Sequence, residues 1–361
     1  MGSPLTLVDH FVRTFENATG AAISIDRQFE VGFERPDGQR RLDLLLDVRM
    51  PDCDLTLAVE ILRQGYPRDV RNAVWQLSEY QLFAKDRGRI AAFVVAEALS
   101  PGARQVLREH GIGYFDSSGS LYMKIGDRLI DIDRPQKMSR TTRVTSIFRG
   151  AREQVVHTLL HEGNAWLTGL EIAERSATSV YTVSQTLREL EQLEWIVSEG
   201  NGRKQRRHLA QPGKLLDAWS ESWTSREQTK TRYFMFAANP KQILTLVAER
   251  LSEASLENWA LTGAAAANAL SPLLTSVDTI DLIIPRGSTV NYTLALGLLP
   301  VDKGANVTLV ERDGASTLFR QQPPDLPAWF ASPYIQYLDL QDGRGRNKEL
   351  ADALRSTVLK I

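Results

Sequence analysis

Hydrophobic and polar positions along the first 132 residues repeat with two different periods, which predicts a mixed α/β domain. Apolar residues recur on one helical face of residues 4–17, and the segments AAISIDRQFEVGF, RRLDLLLDVRM and LTLAVEIL alternate as strands do. A helix over 69–85 and a strand buried on both faces over 90–98 follow. A short helix opened by Ser100 and two closing strands complete the predicted order α-β-β-β-α-β-α-β-β.

Residues 150–212 carry a different pattern. It predicts a helix at AREQVVHTLLHEG, a short strand at AWLT, and two further helices at GLEIAERS and VYTVSQTLRELEQLEW. A hairpin follows, because Asn201-Gly202 between two strands is the strongest short hairpin signal. The apolar residues of the third helix repeat at three and four positions, so the predicted buried residues are Val180, Val183, Leu187, Leu190 and Leu193. This order of elements resembles the winged helix-turn-helix of many bacterial regulators.

The remaining segments predict how the chain divides. Residues 133–149 are polar, basic and weakly periodic, which is typical of a linker. After a connecting helix over 213–230, strands and helices alternate to the end, which predicts a second α/β domain. Because 361 residues are too many for one ordinary core, we expect domains at 1–132, 150–212 and 213–361, with the linker between the first two.

Composition narrows the function. The formal net charge is −1 at pH 7, so nucleic-acid binding must come from local patches rather than from a basic field of the whole chain. Cys53 is the only cysteine, which excludes an intrachain disulfide framework and a cysteine-based metal knuckle and fits a reducing cytoplasm. The sequence shows neither an apolar run of membrane-spanning length nor a signal-peptide pattern. We therefore expect a cytoplasmic protein without a membrane partner.

Polar side chains lie on the third helix opposite its apolar face, and we expect them to face DNA. They are donors and acceptors suited to phosphates and to base edges in a major groove, namely Ser179, Tyr181, Thr182, Ser184, Gln185 and Arg188. The hairpin adds four cations that would release counterions from DNA, namely Arg203, Lys204, Arg206 and Arg207. The alternative is a packing helix with a solvated hairpin, or a protein–protein module. Nearby acidic residues favour that alternative, namely Glu189, Glu191, Glu194 and Glu199.

The N-terminal order of elements resembles the PD-(D/E)XK nuclease superfamily. If residues pair about the centre of the Met-Pro-Asp-Cys turn, Asp43 lies opposite Glu60, where that superfamily places two metal-binding carboxylates. Gln76 and Tyr80 match the QxxxY element of one branch of the superfamily. The pattern requires a lysine two residues after Glu60, and this chain has Leu62. We therefore expect a degenerate site with no catalytic residue and no metal. A metal-dependent nuclease that uses Asp43 and Glu60 is the alternative.

Two further segments resemble proteins grouped with the AbiEi-type antitoxins of type IV toxin–antitoxin systems. The first is GIGYFDSSGSLYM, in which Asp116 and Gly119 are also ordinary turn residues. The second is SPYIQYLDLQDGRGRNKELADALRSTVLK, in which Arg344, Arg346 and Lys348 are candidate phosphate ligands.

The segments WALTGAAAANALSP and VDTIDLIIP resemble a nucleotidyltransferase-type core. Active members have a Gly-Ser/Thr turn before a helix and two alternating Asp on the next strand, which bind metal. Here Thr262-Gly263 stands at the turn, while Asp281 has Ile283 as its alternate partner. The metal pair is incomplete, and we expect an inactive domain.

The predicted fold is thus a multidomain α/β chain: a degenerate restriction-endonuclease-like domain, a central winged helix-turn-helix and a C-terminal nucleotidyltransferase-like domain. The resemblances imply a bacterial, antitoxin-like transcriptional regulator that is not an enzyme, needs no cofactor and binds operator DNA. Double-stranded DNA is the expected partner, together with a second copy in a homodimer and a cognate toxin. Two alternatives stay open, a metal-dependent nuclease and a scaffold that neutralises a toxin by contact.

Overall fold

The computed structural model describes residues 4–23, 28–35, 38–51, 53–84, 89–134, 147–239, 242–275, 277–323 and 328–361. The chain forms two compact units, which confirms the prediction of a multidomain α/β protein. The first unit holds the residues before 145 together with Leu190–Glu194, and the second holds the rest. The boundary predicted between residues 212 and 213 therefore lies inside the second unit. Most of the predicted linker, residues 135–146, lies outside the described residues.

The first unit is built on one eight-stranded sheet. Its elements are α1 (Pro4–Thr19), β1 (Ala22–Ile23), β2 (Gln28–Arg35), β3 (Gly38–Arg49), β4 (Asp54–Gly65), α2 (Pro67–Phe83), β5 (Ile90–Leu99), α3 (Pro101–Glu109), β6 (Gly113–Asp116), β7 (Leu121–Ile125) and β8 (Arg128–Ile132). The strand order is β1-β3-β4-β5-β6-β7-β8, with β2 paired to β3. β4, β5 and β6 run parallel, and the other pairs are antiparallel. The prediction missed β8, and it joined β1 and β2 into one strand.

Both faces of this sheet are covered, and the alternation along β4 decides which side chains meet which helix. Leu57 and Val59 point into the cluster around α1, where the ring of Phe11 lies 5.0 Å from that of Phe93. Ala58 points to the opposite face, into the cluster of α2 and α3, and the partly buried Leu62 packs against the same cluster. Because side chains alternate along a strand, Glu60 between them faces the α2 side of the sheet.

The turn after β6 explains the GYFDSSG motif in structural terms. Asp116 is fully buried, and its Oδ2 accepts a hydrogen bond from Arg104 Nη2 at 2.6 Å. Its Oδ1 accepts from the backbone N–H of Ser118 at 3.0 Å. Gly119 has φ +88°, which glycine adopts without strain, and its N–H donates to Asp116 O at 2.8 Å. The prediction that Asp116 and Gly119 are turn residues is confirmed.

The second unit joins a helical segment to a five-stranded sheet. Its elements are α4 (Gly150–Glu162), β9 (Leu167–Thr168), α5 (Gly169–Arg175), α6 (Val180–Gln192), β10 (Ile196–Glu199), β11 (Arg206–Leu209), α7 (Pro212–Thr224), β12 (Lys230–Phe234), α8 (Ile243–Glu253), β13 (Ala260–Thr262), α9 (Gly263–Leu270), β14 (Ile280–Ile284), α10 (Thr289–Leu296), β15 (Leu299–Pro300), β16 (Val307–Glu311), α11 (Pro333–Asp339) and α12 (Asn347–Leu354). The small sheet has the order β10-β11-β9, and the large one β13-β14-β16-β12-β15.

Helix α4 ties the helical segment to the large α/β part. His157 is fully buried, with Nδ1 2.9 Å from Ala315 O and Nε2 2.8 Å from Ser332 Oγ. Burial lowers its pKa to about 3, so the ring is neutral; Nδ1 donates to the carbonyl and Nε2 accepts from the hydroxyl. On the same helix, Glu153 Oε1 accepts from Trp219 Nε1 at 2.7 Å. α4 therefore shares one core with the C-terminal part.

Candidate nucleic-acid interface and buried carboxyl pair

The N-terminus of α6 is fixed by a serine cap. Ser179 Oγ accepts from the backbone N–H of Thr182 at 3.1 Å, and the two hydroxyls lie 2.9 Å apart. Further along the helix, Val183 and Leu187 are buried as predicted. Val180 was predicted to be buried but is 55% exposed. Helical side chains lean toward the N-terminus, and at the first helical position this carries Val180 past the end of the helix.

The opposite face of α6 presents a stripe toward solvent, called here the α6 stripe. It consists of Tyr181, Ser184, Gln185 and Arg188, spaced so that they share one helical face. Tyr181 is 73% exposed, Arg188 is exposed, and Ser184 and Gln185 are half-buried. The structure thus brings four of the six predicted groove residues together, while the other two, Ser179 and Thr182, bond to each other at the cap.

The two strands β10 and β11 form the predicted hairpin, called here the basic hairpin (residues 196–209). Glu199 pairs with Arg206, so the connection spans residues 200–205 rather than the two-residue Asn201-Gly202 turn. Gly200 adopts φ +78°, which ends β10 before Asn201, and residues 202–204 form a short 3₁₀ turn. The Asn-Gly signal therefore located the hairpin correctly and the loop length wrongly.

The cations of the basic hairpin have different environments. Lys204 and Arg206 are exposed. Arg207 is half-buried, and its guanidinium donates to Gln205 O at 3.2 Å and Gln205 Oε1 at 2.8 Å. The side chain of Arg203 lies outside the described residues. Lys204 and Arg206 are therefore the cations that the described part of the hairpin offers to a phosphate backbone.

The negative charge of Glu189 on α6 is paired with Arg152, so it repels phosphate less than its position suggested. Arg152 on α4 donates from Nη2 to Glu189 Oε2 at 2.5 Å and from Nε to Thr186 Oγ1 at 3.3 Å. The acid is neutralised within the helical segment. Arg152 was missed in the sequence because its partners are more than 30 positions away, and no local pattern connects them.

The β3–β4 register brings Asp43 and Glu60 together as predicted. Leu44 pairs with Val59, and extending this register by one residue places Asp43 opposite Glu60. Asp43 Oδ2 accepts from the backbone N–H of Ile61 at 2.7 Å. Glu60 is only 5% exposed, and burial together with the neighbouring Asp43 raises its pKa to about 8. Glu60 hydrogen bonds to Asp43, while its Oε1 finds no partner among the described residues.

The side chains around this carboxyl pair are apolar, and the two nearby arginines are paired with other acids. Leu62 is half-buried against the α2 side of the sheet, and the ring of Tyr80 is buried edge-on to Phe33 at 5.3 Å. Arg63 Nε lies 4.0 Å from Glu97, and Arg41 Nη1 lies 3.3 Å from Glu30. Gln76 on α2 is half-buried.

Mg²⁺ in proteins is commonly bound by one or two carboxylates together with waters, and Asp43 and Glu60 are two such carboxyl groups. Within the described ranges, no group of three His, Cys, Asp or Glu side chains is placed to hold a metal ion. At neutral pH the raised pKa of Glu60 gives the pair one proton to share.

Most of the C-terminal candidates are engaged in internal contacts, while Lys348 is exposed. The carboxylate of Asp281 sits against Gly263 at the start of α9, and burial raises its pKa. The alternate position, Ile283, is a buried strand residue paired with Ala260. In the closing loop, Arg344 lies 3.4 Å from Asp342, and Arg346 donates to Glu349 at 2.5 Å. These two loop arginines are thus neutralised locally.

No helix in the described part of the chain combines the length and the apolar character needed to cross a membrane.

Comparisons with known proteins give one family match. Residues 208–360 match a family described as "Transcriptional regulator, AbiEi antitoxin, Type IV TA system". The predicted resemblance to AbiEi-type antitoxins is therefore confirmed for the C-terminal part. A search of curated protein sequences gave no match.

Two solved structures align over parts of the chain. EndoMS in its apo form aligns at 15% identity over 32% of this chain and 46% of EndoMS, with a TM-score of 0.23. The chain thus spans less than half the length of EndoMS. A protein of unknown function, AF1548, aligns at 11% identity over 52% of this chain and 97% of that protein, with a TM-score of 0.22.

Proposed function

We propose that the chain is an antitoxin-like transcriptional regulator that occupies operator DNA through a winged helix-turn-helix formed by residues 150–209. The observation that carries the proposal is the exposed α6 stripe, followed along the chain by the basic hairpin. A groove-reading helix needs exposed donors and acceptors on one face, and a wing needs exposed cations for the phosphate backbone. Helix, short strand, two helices and a hairpin in this order fit that use.

The charges support the same use. Lys204 and Arg206 are exposed at the hairpin, and Arg188 is exposed on the α6 stripe. Glu189 is held by Arg152 and offers no free negative charge to a phosphate. Lys204, Arg206 and Arg188 would therefore attract DNA as a local patch, since the net charge of the whole chain is −1.

The family match extends the proposal to a partner. Residues 208–360 match a family of antitoxins, and an antitoxin acts together with a toxin. We include a cognate toxin and a second copy of this chain among the partners. Co-purification with the product of the neighbouring gene tests the first, and light scattering tests the second.

Mobility shifts on the DNA upstream of the coding sequence test the proposal. The double variant Lys204→Ala, Arg206→Ala should bind more weakly than wild type and depend less on salt. Each phosphate contact contributes about 0.9 to the slope of log K against log salt, so two lost contacts lower it by about 1.8. Equal affinity of variant and wild type at every salt concentration would reject the winged-helix assignment.

A matched control removes the same formal charge elsewhere. The double variant Arg344→Ala, Arg346→Ala also deletes two cations, each of which already lies near a local acid. This control should bind DNA like wild type. A comparable loss in both double variants would assign the effect to net charge rather than to the hairpin.

A second candidate function is metal-dependent DNA cleavage at Asp43 and Glu60. The buried Oε1 of Glu60, which has no partner among the described residues, favours it, since burying an oxygen without a hydrogen bond is costly and a ligand would relieve that cost. Plasmid incubated with Mg²⁺ or Mn²⁺ tests it directly. Cleavage that Glu60→Gln abolishes and Glu97→Gln preserves would establish it, whereas intact plasmid with both metals rejects it.

A further inference from the structure

The first turn of α6 presents apolar surface where a groove-reading helix approaches base edges. Val180 is 55% exposed and Tyr181 is 73% exposed, and they are neighbours at the N-terminus of the helix. In helix-turn-helix proteins the N-terminal residues of the second helix contact base edges in the major groove. Burial of these two side chains against DNA would remove their apolar surface from water, which is favourable.

The cap at the start of α6 determines which side chains of its first turn remain exposed to solvent. The hydroxyls of Ser179 and Thr182 lie 2.9 Å apart, and Ser179 Oγ accepts from Thr182 N–H, so both serve the helix end. Val180 and Tyr181 are therefore the side chains that project around the cap. Gln185 follows Tyr181 by one helical turn on the same face.

This set of groups matches one kind of base pair. An A·T pair shows the thymine C5-methyl group and the adenine N6 and N7 atoms in the major groove. Apolar side chains contact the methyl group, and glutamine pairs with N6 and N7. We propose that α6 selects A·T pairs, with Val180 and Tyr181 packed on thymine methyl groups and Gln185 on the adjacent adenine. This inference rests on the proposed DNA-binding function.

Replacement of thymine by uracil isolates the methyl group, because uracil keeps every hydrogen-bonding group of thymine. The probe is a duplex cut from the wild-type footprint on the upstream DNA, prepared with thymine or with deoxyuridine. Each thymine methyl that wild type contacts should make its affinity for the thymine duplex about fourfold higher than for the deoxyuridine duplex. The double variant Val180→Ala, Tyr181→Ser should bind both duplexes equally. Tyr181→Phe, which keeps the ring, should retain the discrimination.

Two controls separate this inference from the function on which it rests. Val290→Ala removes an exposed valine from α10, 67% exposed against 55% for Val180, and should keep the wild-type ratio of affinities for the two duplexes. Lys204→Ala should weaken binding to both duplexes by the same factor, because phosphate contacts do not sense a base methyl. Wild type that binds both duplexes equally tightly overturns the thymine inference and leaves DNA binding intact. Wild type that leaves no footprint overturns both.

The wild-type arm needs no variant, so the inference can fail even if a variant folds poorly. Val180 and Tyr181 are exposed, and their replacement should leave the thermal unfolding midpoint unchanged. A double variant with the wild-type midpoint and an undiminished thymine preference would also overturn the inference.

Discussion

Replacing Glu60 by Gln should stabilise the first unit, and the gain should grow as pH rises. Burial first, and then Asp43, raises the pKa of Glu60 from 4.5 to about 8. Between these values the unfolded chain loses the proton while the folded chain keeps it, so each pH unit removes about 1.4 kcal/mol of stability. From pH 5 to pH 8 the loss amounts to roughly 4 kcal/mol. Gln keeps the shape of protonated Glu and can donate to Asp43, but does not titrate.

The assay is equilibrium urea unfolding at pH 5, 6, 7 and 8. It should be read by a hydrogen–deuterium exchange pulse at one fixed pH on peptides that cover β4. This readout reports the first unit alone, whereas the fluorescence of seven tryptophans would mix the two units. Glu97→Gln is the control, since its side chain is 45% exposed and lies on the next strand. A difference between Glu60→Gln and wild type that stays constant over this pH range would refute the reasoning.

Three further predictions concern other sites. Leu62→Lys places a cation beside the carboxyl pair and should lower the pKa of Glu60, so the pH dependence in the same urea assay should flatten; an unchanged slope would contradict it. His157→Ala removes the hydrogen bonds to Ala315 and Ser332 and should cost the second unit about 2–4 kcal/mol, measured by denaturant unfolding. Since the pKa of His157 is lowered to about 3, wild type should also lose stability as pH falls below 6.5, and the variant should lose less. Gly263→Ala should lower the thermal midpoint, because φ is +68° and the new Cβ would lie 2.5 Å from Asp281; Gly287→Ala, with similar φ and open space, should lower it less.

The sequence predicted the fold best where one short turn determined how the strands on either side of it pair. The β3–β4 register followed from the centre of one turn, and the pairing runs from Arg49 opposite Asp54 to Leu44 opposite Val59. β8 was missed because it is short and none of its residues is fully buried: exposed and half-buried positions alternate along it, so its apolar residues give no strong period of two. The buried face of α6 was predicted from its repeat, but Val180 was wrong because a repeat does not show where the helix begins to be covered.

The partners of buried polar groups could not be predicted from the sequence. His157 meets Ala315 and Ser332, and Arg152 meets Glu189, across separations that no periodicity encodes. The raised pKa of Glu60 was also beyond prediction, since it depends on how completely α2 and the neighbouring strands exclude water. Composition and spacing identified the carboxyl pair, and only packing shows that it holds a proton at neutral pH.

The anchoring of α4 limits how this protein can diversify. Residues of the α6 stripe can be exchanged without touching the hydrogen bonds of His157 or Glu153. Under the proposed function, a new operator preference would therefore need only substitutions on α6. Transplanting the whole segment 150–209 into another chain would instead separate His157 and Glu153 from their partners Trp219, Ala315 and Ser332, which lie outside the segment. Changes of target DNA are therefore expected to arise by point substitution on one helix rather than by recombination of complete modules.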